Sequence, residues 1–409
     1  MIRIRQLTIE RVIIFLFSIL PVVDSLNGIL ITKGLPSIGT AYKLLVLGVL
    51  IVFALRSGGM YGPLILSCLG IVIYMAVSIF INLYGFSGTL LSKDYPIKLL
   101  FNVLTLVLLV NCFKVGYIDG KSIYTILNIN TWLMIAVILV PYVLGLGYTI
   151  YSGGIGYKGF FYSNNELSVA LIILFYFSLY RLARKISIVN IVQLGAIMIC
   201  VLLLNTKSGM AACLAGGALF VAEYLLRRDT KFKIPLILAM LLGLYVAKDF
   251  IIEQVAGFMT RQTYLHGLYN GSLLDTILSG RTFKLESAWE EMTAGSGFVF
   301  RFLFGNGFCS GVLVEMDFVD IFFYLGFFGV AGLTGFLVYL FFASVKNYKK
   351  DGTLVRPFGF LMVIGFAFLA GHIFFMATSG CYFVLLCCLV WMYSPDDQRK
   401  RLRSIEGHG

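Results

Sequence analysis

Charge is what this sequence has least of. Asp, Glu, Lys and Arg make up 13% of its 409 residues, while 59% are hydrophobic and the mean hydropathy is +0.93. An ordinary soluble protein carries about 25% charged residues, so that class is excluded. Histidine is scarce as well, with 3 in all. Most of the 8 cysteines lie inside apolar runs (Cys68, Cys112, Cys200, Cys213, Cys387 and Cys388), and Cys309 and Cys381 stand nearer polar sequence. No CxxC pair or Cys/His ligand spacing occurs, so neither a disulfide framework nor a zinc site is indicated. A P-loop, a DxD pair and a histidine cluster are missing too, and no cofactor or metal is implied. No internal repeat is visible, which counts against a transporter built from duplicated halves. The start, MIRIRQLTIERVIIFLF, is basic and then apolar without a small-residue cleavage site, so it reads as a retained first span.

What is there is apolar length. A bilayer span takes about 20 mostly apolar residues, and about twelve such runs are present. They cover Val12–Ile31, Ala41–Leu55, Pro63–Leu83, Pro96–Phe113, Ile123–Leu146 and Leu167–Leu182. The second half holds Ile186–Leu204, Met210–Leu226, Ile234–Ala247, Val319–Ser344, Phe358–Met376 and Cys381–Tyr393. Backbone amides cannot stay unpaired in lipid, and the runs do not alternate as barrel strands do. The predicted fold is therefore all-α: a polytopic integral membrane protein, one domain over 1–409.

Lys and Arg orient the spans. With the N-terminus inside, the cytoplasmic loops receive Arg56, Lys114, Lys121, the RLARK turn at 181–185, RRDTKFK at 227–233 and KNYKK at 346–350. The tail RKRLR at 399–403 falls there too, so both termini are expected to be cytoplasmic. The net charge of +12 is then a topology signal toward the lipid bilayer, not a nucleic-acid footprint. Four polar stretches share the outer face: Tyr84–Lys98, Tyr148–Glu166, Asn205–Gly209 and a long segment from Lys248 to the tenth span. Residues 248–318 are expected to form a large extracytoplasmic loop with short amphipathic helices. Apolar residues recur at helical spacing in it, as Leu285, Trp289 and Met292, and as Ile251, Val255, Phe258 and Met259.

Candidate chemistry concentrates on that face. Lys158, Lys207, Arg261, Arg281 and Arg301 go against the positive-inside rule. Any one of them could be a solvated loop charge, but as a group they suit a diphosphate, which Arg grips bidentately and Lys meets as a point charge. Glu315, Asp317 and Asp320 stand where the long loop returns to the membrane. Acids at a helix start complement its dipole, which accounts for one of them more comfortably than for three. A carboxylate at an apolar boundary also suits a general base. Asp24, inside the first span, reads equally as an interhelical hydrogen-bonding group.

Three stretches resemble the O-antigen ligase and Wzy-type polysaccharide polymerase family. They are YKGFFYSNNELSVALII, LLLNTKSGMAACLAGGALF, and SGRTFKLESAWEEM followed by LFGNGF and EMDFVDIFFYLGFFG. Two departures stand out. Gly209 occupies a place where that family usually has Arg, leaving Lys207 as the local cation. Counting back from Gly326 and Gly329, the family's ligase histidine falls on Glu315, which favours a polymerase.

The resemblance implies an inverting, lipid-linked glycosyltransferase that needs no metal. The donor would be a glycan on undecaprenyl diphosphate, and the acceptor a hydroxyl of a second lipid-linked repeat unit. A chain-length regulator is a further candidate partner. Glu315, Asp317 and Arg281 would carry the catalysis. Lys158, Asn164, Asn165, Lys207, Arg261, Asp320 and Arg301 would bind substrate. Family register favours Glu315 as the base, while the helical alignment of Asp317 with Asp320 and Tyr324 favours Asp317. Arg281 is expected to matter more than Lys284. A ligase acting on another acceptor, or a transporter of an anionic lipid-linked substrate, are the competing readings.

Overall fold

One helix, Asn164–Arg184, is buried on all sides from Leu167 to Tyr180, and the other elements are arranged about it. The computed structural model describes residues 2–56, 62–85, 94–150, 155–226, 245, 248–295, 297–309, 312–371 and 373–392. Among these, regular structure is helical, with one isolated bridge between Thr149 and Tyr157. In chain order the helices are α1 (Ile2–Ser18), α2 (Leu20–Thr32), α3 (Ile38–Arg56), α4 (Gly62–Gly85), α5 (Asp94–Val115), α6 (Gly120–Val143) and α7 (Asn164–Arg184). Then come α8 (Ile188–Leu204), α9 (Lys207–Leu226), α10 (Lys248–Leu268), α11 (Leu273–Leu278), α12 (Arg281–Thr293) and α13 (Phe298–Phe304). The last three are α14 (Asp317–Asp351), α15 (Val355–Ala370) and α16 (Ala377–Met392).

Six of the described helices are long and apolar enough to cross a bilayer, or seven if α1 and α2 count as one bent span. Four shorter apolar helices accompany them: Cys68–Leu83, Ile188–Leu204, Val355–Ala370 and Ala377–Trp391. The chain is all-α, with the make-up of a polytopic membrane protein. Each expected span falls on a described helix except the ninth, Ile234–Ala247, of which only Tyr245 is described. The basic segments 227–233 and 399–403 and His372 also lie outside the described residues.

Two breaks shape the bundle, and each has a local cause. Pro21 has no N–H to return to the carbonyl of Phe17, so the first span bends by 40° between α1 and α2. The freed carbonyls find other donors. Asn130 Nδ2 donates to Phe17 O (3.0 Å), and the Tyr42 hydroxyl donates to Leu16 O. The second break is at Gly326 inside α14, with φ 68° and ψ −170°, a conformation essentially reserved for glycine. There the amides of Asn306 and Gly307 donate to Phe323 O (2.6 Å) and Tyr324 O (3.0 Å), and Tyr74 donates to Leu325 O. A Cβ at Gly326 would overlap the Leu303 carbonyl, and one at Gly305 would overlap the Tyr324 backbone. The GNG turn and the glycine of α14 are thus two halves of one close backbone contact.

Helices α10 to α13 cover the end of the bundle where α8 finishes and α7, α9 and α14 begin. The apolar residues expected at helical spacing on α12 divide between two surroundings. Met292 is buried, but its partner across the packed face is Ala288, against Val314, Met316 and Phe323. Leu285 and Trp289 are exposed, as are Val255 and Met259 on α10. The expected eleventh span also ends early, at Ala370. Gly371 takes φ 63° and ψ −165°, which no helix continues, and the described residues 371 and 373–376 are a non-helical connector instead.

Candidate functional site

The connector after α15 and the start of α14 are locked together by backbone. A Cβ on Gly371 would overlap Glu315 O, so the two main chains touch. Asp317, 1% exposed, accepts from the amides of Ile373 (2.7 Å) and Phe374 (3.4 Å). Asp320, 2% exposed, accepts from Val314 N–H (2.8 Å) and Met316 N–H (3.0 Å). Both carboxylates therefore hold main chain in place, and charge-assisted bonds of this kind are the stronger ones.

Glu315 is held differently. Its backbone has φ 67°, a costly value for a non-glycine residue, and its side chain is about one third exposed. Lys284 Nζ donates to its Oε1 at 2.6 Å, and Arg281 Nη2 lies 3.6 Å from its Oε2. Both cations come from α12, three residues apart, and so share one face of that helix. Lys284 is the residue the sequence reading undervalued. Its spacing from Arg281 was visible, but its partner lies 31 residues away.

Arg281 is the better buried of the two. It donates from Nη1 to Leu278 O (3.1 Å) and from Nη2 to Ala370 O (3.4 Å), while its buried Nε has no hydrogen-bond partner. Burial pulls its pKa below the ordinary arginine value, and Glu315 and then Asp320 pull it back up. A guanidinium stays charged under any of these influences. Lys207 Nζ donates to Thr276 O, Ile277 O (3.4 Å) and Ser279 Oγ (3.2 Å). Lys207 and Arg281 thus converge on the C-terminal turn of α11, where cations complement the helix dipole. Arg261 and Arg281 both lie within electrostatic range of Lys207. Three expected cations therefore share one locality, and of these Arg281 reaches Glu315.

Other expected site residues lie apart from this group. Arg301 is buried and donates to Met292 O (3.0 Å) and Ala294 O, closing the far end of α12. Lys158 donates to Tyr162 O (2.7 Å) within its own loop, and burial lowers its pKa. Asn164 and Asn165 open α7 behind its Ser163 cap and are half-buried. One turn on, Ser168 Oγ lies 2.9 Å from Thr206 Oγ1.

A buried ion pair was only half visible in the sequence. Lys43 Nζ donates to Asp24 Oδ1 and to Thr378 Oγ1, each at 2.8 Å, and Thr378 N–H donates to Glu166 Oε2 (3.1 Å). Asp24 Oδ2 is buried without a hydrogen-bond partner. This network anchors the start of α16, directly after the connector that holds Asp317.

Beside these polar groups lies an apolar cavity of about 710 Å³ between α4, α5, α14 and α16. It runs from Asn102 and Phe374, at the level of the connector, to Tyr339 and Trp391 near the opposite end of the bundle. Leu325, Phe328 and Phe336 line its α14 side. The arrangement can hold an anion with a long apolar tail and can take a proton at Glu315. No protein-family model matches the chain, and no curated protein matches it either.

Proposed function

We propose that this protein polymerises undecaprenyl-diphosphate-linked oligosaccharide repeat units into capsule, exopolysaccharide or O-antigen polymer. The observation that carries the reading is one carboxylate, Glu315, paired with Arg281 and Lys284, where Arg281 in turn lies within electrostatic range of Lys207, and Lys207 within range of Arg261. Glu315 takes the proton of the acceptor hydroxyl. The hydroxyl oxygen attacks the anomeric carbon opposite the diphosphate, so the new glycosidic bond has inverted configuration. The departing undecaprenyl diphosphate carries away the bonding pair, and Arg281, Lys207 and Arg261 stabilise its charge. The cavity beside α14 takes the polyprenyl tail.

The reaction belongs at the outer face of a bacterial cytoplasmic membrane, crossed about twelve times, with both termini inside. Residues 248–318 form the extracytoplasmic loop, and exposed Leu285 and Trp289 suit a helix lying at the headgroup boundary. Impermeant maleimide should label cysteine placed at Asn270, but not at Arg228, in cells lacking native Cys309.

The buried Asp24–Lys43 pair favours a second reading, transport of an anionic lipid-linked substrate, because ionisable groups inside membranes mark substrate and proton paths. Purified protein with lipid-linked repeats separates the two. A polymer ladder supports the polymerase. Absence of a ladder, with repeats stranded on the cytoplasmic leaflet after gene deletion, supports the transporter.

A further inference from the structure

At the far end of α7, roughly 30 Å along the helix from its first residue, a second cavity of about 360 Å³ opens at the surface. Arg181, Arg184 and Lys185 line it, with Tyr124, Ser187 and Asn190, and among the described residues no acidic one does. The placing of Arg181 is the informative feature. Its Nη1 donates to Asn128 Oδ1 and to Gln193 Oε1 (2.5 Å), and its guanidinium lies 5.7 Å from the Tyr124 ring centre. All of these partners are neutral, and among the described residues no carboxylate pairs with it. Its Nε is buried and has no hydrogen-bond partner. A half-buried guanidinium held by neutral partners has a charge that an anion in the cavity would balance.

The rest of the cavity agrees. Ser187 caps α8 by accepting from Asn190 N–H (3.3 Å), so the positive end of a 17-residue helix faces the same space. The apolar surface beside it points to the form of the anion. Ile188 is 81% exposed and Val192 54%, so a lipid-facing stripe starts at the rim of the cavity. A free phosphate has no use for that stripe, whereas an acyl chain does.

We propose that this cavity binds the phosphate of an anionic phospholipid, with its headgroup on Arg181, Arg184 and Lys185 and its chains along Ile188 and Val192. The positive-inside rule alone asks for charge at this turn. It does not ask for a guanidinium drawn between two side-chain amides at the wall of a cavity. The proposal does not depend on glycan chemistry, so it stands or falls separately from the polymerase reading.

Native mass spectrometry of the full chain in detergent tests it, using phosphatidylglycerol, phosphatidylcholine with the same chains, and glycerol 3-phosphate. Phosphatidylglycerol should bind at least tenfold more tightly than the other two. The Arg184→Gln/Lys185→Gln double variant changes exposed positions and should fold normally, and it should lose roughly 10–30-fold in affinity. Arg181→Lys keeps the charge, loses the fork and should also weaken binding. Glu315→Gln should bind the lipid as the native chain does. Equal binding of phosphatidylcholine, or an unaffected double variant, overturns the proposal. Glycerol 3-phosphate binding as tightly as phosphatidylglycerol overturns the lipid assignment, because the site would then recognise a soluble phosphate ester.

Discussion

Glu315 and Asp317 stand two residues apart and meet opposite surroundings: Glu315 faces the cations Lys284 and Arg281, and Asp317 faces the amides of Ile373 and Phe374. The backbone between them makes the difference. Glu315 lies outside the helix at φ 67°, whereas Asp317 is its first residue. One carboxylate is therefore available to a ligand, and the other is part of the frame.

Glu315→Gln should keep the fold and lose the chemistry. Polymer formation from purified lipid-linked repeats should fall about 10²–10⁴-fold, the usual effect of removing a general base. Its melting temperature should barely move, because partly exposed ion pairs contribute about 0–1 kcal/mol. Asp317→Asn should do the reverse. It weakens bonds to buried amides at a cost of about 1–3 kcal/mol, so the melting temperature drops while turnover per folded molecule largely survives. Normal turnover by Glu315→Gln beside a well-folded, inactive Asp317→Asn would reverse the two roles.

Lys284 should matter in its own right. It makes the shorter contact to Glu315, at 2.6 Å against 3.6 Å for Arg281. Lys284→Ala should lower turnover by about tenfold, as expected when a reacting group loses part of its alignment. Lys284→Arg should recover part of the loss, and neither change should shift the melting temperature by much. Unaltered turnover by Lys284→Ala would mean that Arg281 alone positions the carboxylate.

How far the sequence could be read follows from the range of each interaction. Hydropathy is local, so the apolar runs located the described helices, whereas the bend at Pro21 is a finding of the structure. The connector after α15 was not legible, because the run through Met376 is apolar apart from His372, and Gly371 ends the helix against Glu315, far away in sequence. The cationic locality was legible only in part: of the five cations expected on one face, Lys207, Arg261 and Arg281 come together, while Lys158 and Arg301 hold main chain elsewhere. The division of labour among Glu315, Asp317 and Asp320 was not, because the amides that occupy Asp317 belong to another helix connection. Asp24 was visible as a membrane charge, and its pairing with Lys43 is a tertiary fact.

Gly371 offers a test of that connector. Its φ and ψ are essentially restricted to glycine, and a Cβ would meet Glu315 O. Backbone strain of about 1–3 kcal/mol adds to overpacking of about 1–3 kcal/mol, so Gly371→Ala should destabilise by about 2–6 kcal/mol. Any folded fraction should have a displaced Glu315 and reduced turnover. Gly365→Ala, in open space on the same helix α15, should stay within about 1 kcal/mol of the native chain. A stable, fully active Gly371→Ala would show that the connector does not set the position of Glu315.

The Asp24–Lys43 pair separates a scaffold from a working group. Both side chains are under one tenth exposed, so each charge depends on the other. Lys43→Met would leave the Asp24 carboxylate without its Oδ1 partner, and its Oδ2 already has none. Removing one member of such a pair typically costs about 3–5 kcal/mol, and the melting temperature in detergent should fall accordingly. Removing both charges is different, because no stranded ion remains. Asp24→Leu/Lys43→Met should recover most of the lost stability, since apolar replacement of a whole buried pair is often neutral or better. Polymer formation by that double variant then decides the role. If it folds and polymerises, the pair only anchors the start of α16 beside Thr378 and Glu166. If it folds and is inactive, the charges take part in function, and the transport reading gains what the polymerase reading loses.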